Sequence, residues 1–141
     1  MTVYSLWGEI AAVQDSRTPE AILLEQAQAL SDLTRNTLVG KVATERVRHT
    51  VMHDLLIIAP SLQRYQIAIL RLEHSDRRTY PVKLLDFING DQVVAECKDE
   101  TELEQELKTT LQSAKVRQII AALLTQSKDY DTPQNGSQDP A

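Results

Sequence analysis

The chain has 141 residues, 42% hydrophobic and 25% charged, with a formal net charge of −5; this composition suits one globular domain with its own core and excludes a disordered or fibrous chain. Cys97 is the single cysteine, which excludes an intrachain disulfide and a Cys-based zinc site and favours a reducing, cytoplasmic compartment. No run approaches the roughly 18–20 apolar residues of a membrane span, and the opening MTVYSLWGEI has no basic lead, so neither a membrane segment nor a secretory leader is expected.

In chain order, Val3, Leu6, Trp7 and Ile10 recur at helical spacing, interrupted by Gly8. Residues 1–17 read as a short helix docked by the one Trp, or as an arm that packs on another subunit. Thr18-Pro19-Glu20 is a helix start, with a capping hydroxyl, proline at the first helical position and an acid in the first turn. The helix is predicted from about 19 to 36, with Leu23, Ala27, Leu30 and Leu33 or Thr34 along its buried stripe and Ile22 and Leu24 widening it.

Leu38 to Arg48 reads as an edge strand, mixed on both faces. Thr50 to Ala59 reads as a central strand with something packed on each side, because Leu55-Leu56-Ile57-Ile58 is apolar on both faces, and Pro60-Ser61-Leu62 closes it. Tyr65 to Cys97 reads as a three-stranded meander. Its first strand, Tyr65 to Glu73, ends in the polar turn Ser75-Asp76-Arg77-Arg78, and Pro81 sits near the start of the second.

Asn89-Gly90 predicts a two-residue type I′ turn, since that turn needs positive φ at both central positions. This register opposes Ile88 to Asp91, Phe87 to Gln92, Asp86 to Val93, Leu84 to Ala95 and Lys83 to Glu96. Opposed residues share a face. Val82, Leu84, Val93, Ala95 and Cys97 then form the core face. Leu85, Phe87, Val94 and the Lys83–Glu96 ion pair lie on the other. On that core face Cys97 is expected as a small buried hydrophobe rather than a reactive thiol.

After Cys97 the period changes to that of a helix. Leu103, Leu107 and Leu111 form one stripe, capped at Thr101/Glu104 or Asp99/Glu102. Ser113 caps a final helix carrying Val116, Ile119, Ile120, Leu123 and Leu124. Residues 127–141 lack periodicity and read as a disordered tail. The expected fold is therefore α+β: an antiparallel sheet of about five strands with a long N-terminal helix and two C-terminal helices packed on it, in one domain over residues 1–126.

Three constellations bear on function. Asp86, Glu96 and Lys98 have the order of a magnesium-dependent nuclease site, two carboxylates for the ion and a lysine beside the attacking water. The predicted register puts Asp86 at a wet strand end on the opposite face from Glu96, so only a β-bulge would let one ion bridge them. His49 and His53 lie four apart beside Asp54, a spacing that suits two zinc or nickel ligands; no third ligand is evident, though His74 could approach, and they read as partly exposed strand histidines.

Residues 35–83 carry a net +5, between −4 over residues 1–34 and −6 over residues 84–141. Arg46, Arg48, Arg64, Arg71, Arg77 and Arg78 are phosphate-binding candidates in that basic stretch. The overall negative charge and the scarcity of aromatics among them make nucleic acid an unlikely partner. The four glycines, at 8, 40, 90 and 136, form no phosphate loop.

The expectation is a small intracellular protein, without enzymatic activity, cofactor or metal. It acts through protein contacts and self-association, with Trp7, Arg71, Arg77 and Arg78 as candidate contact residues. A metal-dependent phosphodiester enzyme and an anion- or nucleic-acid-binding sheet are the alternatives.

Overall fold

The structure, a computed structural model, describes residues 5–9, 17–90 and 92–131. Helix α1 (Pro19–Leu33) precedes five strands, β1 (Val39–Val47), β2 (Thr50–Ala59), β3 (Tyr65–Ser75), β4 (Val82–Asp86) and β5 (Gln92–Cys97). A single 3₁₀ turn, Pro60–Leu62, joins β2 to β3, and α2 (Glu100–Leu111) and α3 (Ala114–Asp131) follow. The strands lie side by side in sequence order, each antiparallel to the next. This is the expected α+β arrangement, with β1 and β5 as its edges.

The helix starts follow from local chemistry. Thr18 caps α1 by accepting from the Ala21 N–H at 3.1 Å, with Pro19 at the first position. Asp99 caps α2 by accepting from the Glu102 N–H at 2.9 Å, and the Glu102 carboxylate reaches back to the Lys98 N–H at 2.8 Å. Ser113 Oγ accepts from Val116 N–H at the start of α3. These contacts satisfy N–H groups that have no partner inside the helix.

Helix α1 ends at Leu33, three residues before the expected end. The Thr34 hydroxyl lies 2.9 Å from Leu30 O and accepts from the Leu38 N–H at 3.1 Å. Arg35 and Asn36 turn the chain with φ of 52° and 64°, delivering it into β1. At the other end of the fold, α3 runs through Asp131, past the point where the sequence pattern stops, and Ser127 on it is fully buried. The polar composition after residue 126 hides a helix that buries a small residue there.

Helix α1 meets the sheet at contact distance. A Cβ on Gly40 would lie 2.5 Å from Ala27 Cα and 2.4 Å from its carbonyl oxygen. Ser31 fills the remaining gap, its Oγ accepting from the Gly40 N–H at 3.0 Å while lying 3.2 Å from Ala27 O.

The three helices share one face of the sheet. Their Leu23, Leu103, Leu107, Val116 and Leu123 join Leu55, Ile57, Leu70, Leu72, Val82, Leu84 and Cys97 in one buried cluster. The alternate residues of the strands form the second face, on which only Ile58 is buried among the residues so assigned. This corrects the expectation that β2 is packed on both sides. No helix of the described residues is long and apolar enough to cross a membrane.

Two irregularities shape the sheet. Between β2 and β3 the register steps from Leu55↔Leu70 to Leu56↔Ala68, leaving Ile69 as an extra residue whose carbonyl accepts from the Phe87 N–H at 3.0 Å. Between β4 and β5 it steps from Leu84↔Ala95 to Leu85↔Val93. Lys83↔Glu96 and Leu84↔Ala95 pair as the hairpin register predicts, whereas Asp86 pairs with Gln92 rather than Val93. The predicted two-residue turn is thus replaced by a longer loop, and the predicted Ile88–Asp91 pair involves a residue outside those described. Val93 leaves the expected core face and is 56% exposed, beside Val94 at 50%.

Gly40→Ala is expected to lower stability by roughly 1–3 kcal/mol, the usual cost of forcing atoms into a filled contact. Chemical denaturation would read this as a lower midpoint at unchanged slope.

Candidate functional site

Asp86 is buried, 5% exposed, instead of lying at a wet strand end. Its Oδ1 accepts from the N–H groups of Ile88 and Asn89, both at 2.9 Å, and its Oδ2 accepts from Asn89 Nδ2 at 2.7 Å. A carboxylate that takes up backbone donors competes with tight-turn pairing, which accounts for the longer loop. Asp86 follows Leu84 by two residues and so stays on the helix side. Glu96 faces Lys83 on the other side, and exposed Lys98 sits beyond the strand end. The structure does not bring the three residues together. Among the described residues no group of three or more His, Cys, Asp or Glu is placed to hold a metal ion.

His53 is 3% exposed, which corrects the reading of a wet strand histidine, whereas His49 lies exposed in the β1–β2 turn, its Nδ1 3.4 Å from Asp76. The neighbour of His53 is His74, with the two Nε2 atoms 2.9 Å apart. Burial, followed by the charge of His74, pushes the pKa of His53 down.

Four of the six candidate arginines lie at one end of the sheet and two lie elsewhere. Arg46 bonds Asp76 at 3.2 Å beside the β1–β2 turn, where Arg48 is exposed. Arg77 and Arg78 are exposed in the β3–β4 link at the same end of the sheet, since the Asp76 N–H donates to His49 O at 2.8 Å. Arg64 lies at the opposite end, before β3. Arg71 is engaged with Asp54, to which it donates from Nε at 2.6 Å and Nη2 at 3.1 Å, and it stacks over Phe87 at 5.4 Å. The Asp54 hydrogen bonds raise its pKa above the ordinary guanidinium value.

Trp7 is 82% exposed and Leu6 96%, with no helix over residues 5–9, so the expected docking by Trp7 is not present there. The rest of the expected N-terminal helix, and residues 132–141 of the expected tail, lie outside the described residues.

Strand register lays out the second face in rows. One row runs Glu45, Met52, Glu73, Lys83, Glu96; the next runs Ala43, Asp54, Arg71, Leu85, Val93. Lys41, Leu56 and Ala68 form the third, and Val39, Ile58 and Gln66 the fourth. The face therefore has a charged margin at one end and a mostly apolar remainder in which Asp54 and Arg71 neutralise each other. Sequence alternation suggested a half-wet face, but not this gradation, which depends on register and on the bulge that turns Val93 and Val94 outward.

A clamp that the sequence did not signal lies at the helix layer. Arg17 bonds Glu100 through its Nε at 2.9 Å and its backbone N–H at 3.0 Å, and its guanidinium also meets Glu25 and Glu104. The Tyr80 hydroxyl donates to Arg17 O at 3.3 Å.

Comparison with known proteins finds no matching family model, no matching curated protein and no matching solved structure.

Asp86→Ala is expected to lower stability by roughly 2–3 kcal/mol, because it strands donors that now bond a carboxylate. Glu96→Ala, at an exposed position, is expected within about 0.5 kcal/mol of the unaltered chain, and paired denaturation curves check the contrast. The thiol of Cys97 is 1% exposed, and burial, then Glu106, Glu102 and Asp99, push its pKa up to about 11. Alkylation near neutral pH is expected to be slow until denaturant is added, since the thiolate is the reacting species; mass spectrometry reads the adduct.

Proposed function

We propose that this protein acts through contacts with protein rather than through chemistry of its own, and that the second sheet face contacts another copy of the chain. The observation that carries this reading is the placement of all three described helices on one side of the sheet. The other side retains exposed Val93 and Val94 and half-buried Met52, Leu56, Leu85 and Phe87.

Charge favours a protein occupant over a nucleic acid. The face carries Lys41, Arg71 and Lys83 against Glu45, Asp54, Glu73 and Glu96, a near balance with no basic track for phosphates. The rows favour a second copy. A twofold axis along the Lys41–Leu56–Ala68 row sets apolar rows of the two copies against each other. It carries the two charged rows to opposite flanks, away from each other, and the like charges it brings together are the two Lys41 side chains, exposed at the β1 edge. This is an apolar centre with a polar rim, in the closed symmetry that most self-associating proteins adopt.

Light scattering over a range of concentrations is expected to show a dimer. The double substitution Val93→Lys/Val94→Lys is expected to weaken it at least tenfold, about 1.4 kcal/mol, with the circular dichroism spectrum unchanged. A strict monomer at high concentration would count against the reading. Loss of the dimer on deletion of residues 1–13, with the valine variant unaffected, would move the contact to the N-terminal segment.

A further inference from the structure

We propose that His53 and His74 bind one proton between their Nε2 atoms, and that this shared proton completes a hydrogen-bonded chain from α1 across β1 and β2 to the end of β3. The chain has four links. Thr44 Oγ1 lies 3.1 Å from Glu20 Oε2 and 2.8 Å from His53 Nδ1. The two Nε2 atoms are 2.9 Å apart, and His74 Nδ1 lies 2.9 Å from Ser75 O.

Each link needs one hydrogen. A carboxylate and a carbonyl have none to give, and the threonine hydroxyl has one. Two neutral imidazoles bring one each, which makes three hydrogens for four links. With Thr44 donating to Glu20, both Nδ1 atoms act as donors, to Thr44 and to Ser75 O. The two Nε2 lone pairs then face each other at hydrogen-bond distance, and one added proton satisfies them.

Ring geometry favours a proton over a metal ion as the occupant. The centroids are 5.0 Å apart and the planes are tilted by 29°. With the nitrogens at 2.9 Å, the rings meet edge to edge. Their lone pairs point at each other instead of converging on a point to one side, as ligands of one ion do.

The site is limited on both sides. A second proton would put two cations in contact, and burial together with the charge of His74 already holds the pKa of His53 down. Loss of the shared proton leaves two lone pairs opposed. For His53 the depressed folded pKa means stability falls as pH drops through its ordinary value, because the unfolded ring binds the proton that the folded one refuses. For the shared proton the sign is opposite, and closure is lost as pH rises. The pair is thus closed over an intermediate window and titrates as one unit.

The charged groups acting on His53 are His74 of β3, Glu20 of α1 and Asp54 on its own strand. Of their neighbours, Glu73 of β3 points to the second face. Arg46, two residues beyond Thr44, and exposed His49 are both directed to Asp76.

Imidazole ¹⁵N NMR of the full chain across pH tests this, with exposed His49 as the reference ring. The expected result is two separated steps for the pair, with both Nδ1 atoms protonated between them. Independent titration of the two rings, or one bare Nδ1 in that interval, would overturn it. So would Zn²⁺ binding at the two Nε2 atoms, seen as a stoichiometric shift of both resonances. His74→Gln keeps a donor for His53 Nε2 without a titrating ring. The stability gap between it and the unaltered chain should peak in the intermediate window and shrink on either side; a gap independent of pH refutes the proposal. Glu20→Gln removes the balancing carboxylate and should move release of the shared proton to lower pH, and an unchanged release step counts equally against it.

Discussion

The contact between Gly40 and Ala27 sets the frame. With no side chain at residue 40, the backbone of α1 lies directly against β1, closer than any Cβ would allow. Thr34, Arg35 and Asn36 have already turned the chain so that β1 runs back beneath the helix it has just left. That arrangement assigns α1 to the β1–β2 half of the sheet. Leu103 and Leu107 of α2 and Val116 and Leu123 of α3 complete the same cluster. Every described helix is then committed to one layer, and the second face carries none of them.

Two acids illustrate how placement decides chemistry. Asp86 and Glu96 are ten residues apart on adjacent strands, as a metal site requires, and a bulge lies between them. The bulge falls after Leu84 and Ala95, so it moves Val93 and Val94 without altering the side on which either acid lies. Asp86 then spends its lone pairs on the loop that follows, holding Ile88 and Asn89. A carboxylate used this way secures a turn, and the turn in turn supplies Phe87, whose N–H meets the bulge at Ile69 and whose ring lies under Arg71.

Much of this fold was legible because its signals are local. Thr18-Pro19-Glu20, Asp99 with Glu102, and Ser113 begin helices where their side chains indicate. Thr50 and Ala59 bound β2 as the apolar run Leu55-Leu56-Ile57-Ile58 and the following proline suggest. What was hidden depends on distant partners. The bulge at Ile69 is tied to Phe87, eighteen positions along. The meeting of His53 and His74 is diagonal across two strands, since His53 is paired directly with Leu72. Arg17 is one cation among several until α2 brings Glu100 and Glu104 to it. The end of α3 was obscured by composition, because Ser127-Lys128-Asp129 reads as polar tail unless the side facing inward is known.

The Arg17 clamp also bears on the order in which the chain matures. Helix α1 and β1 are neighbours in sequence and meet soon after both leave the ribosome. Of the three carboxylates that fasten Arg17 at the entry to α1, two belong to residues 100 and 104, so Glu25 alone holds Arg17 until most of the polypeptide has been made. Nascent chains stalled before α2 emerges would hold that entry by one carboxylate, and chains released at full length by three.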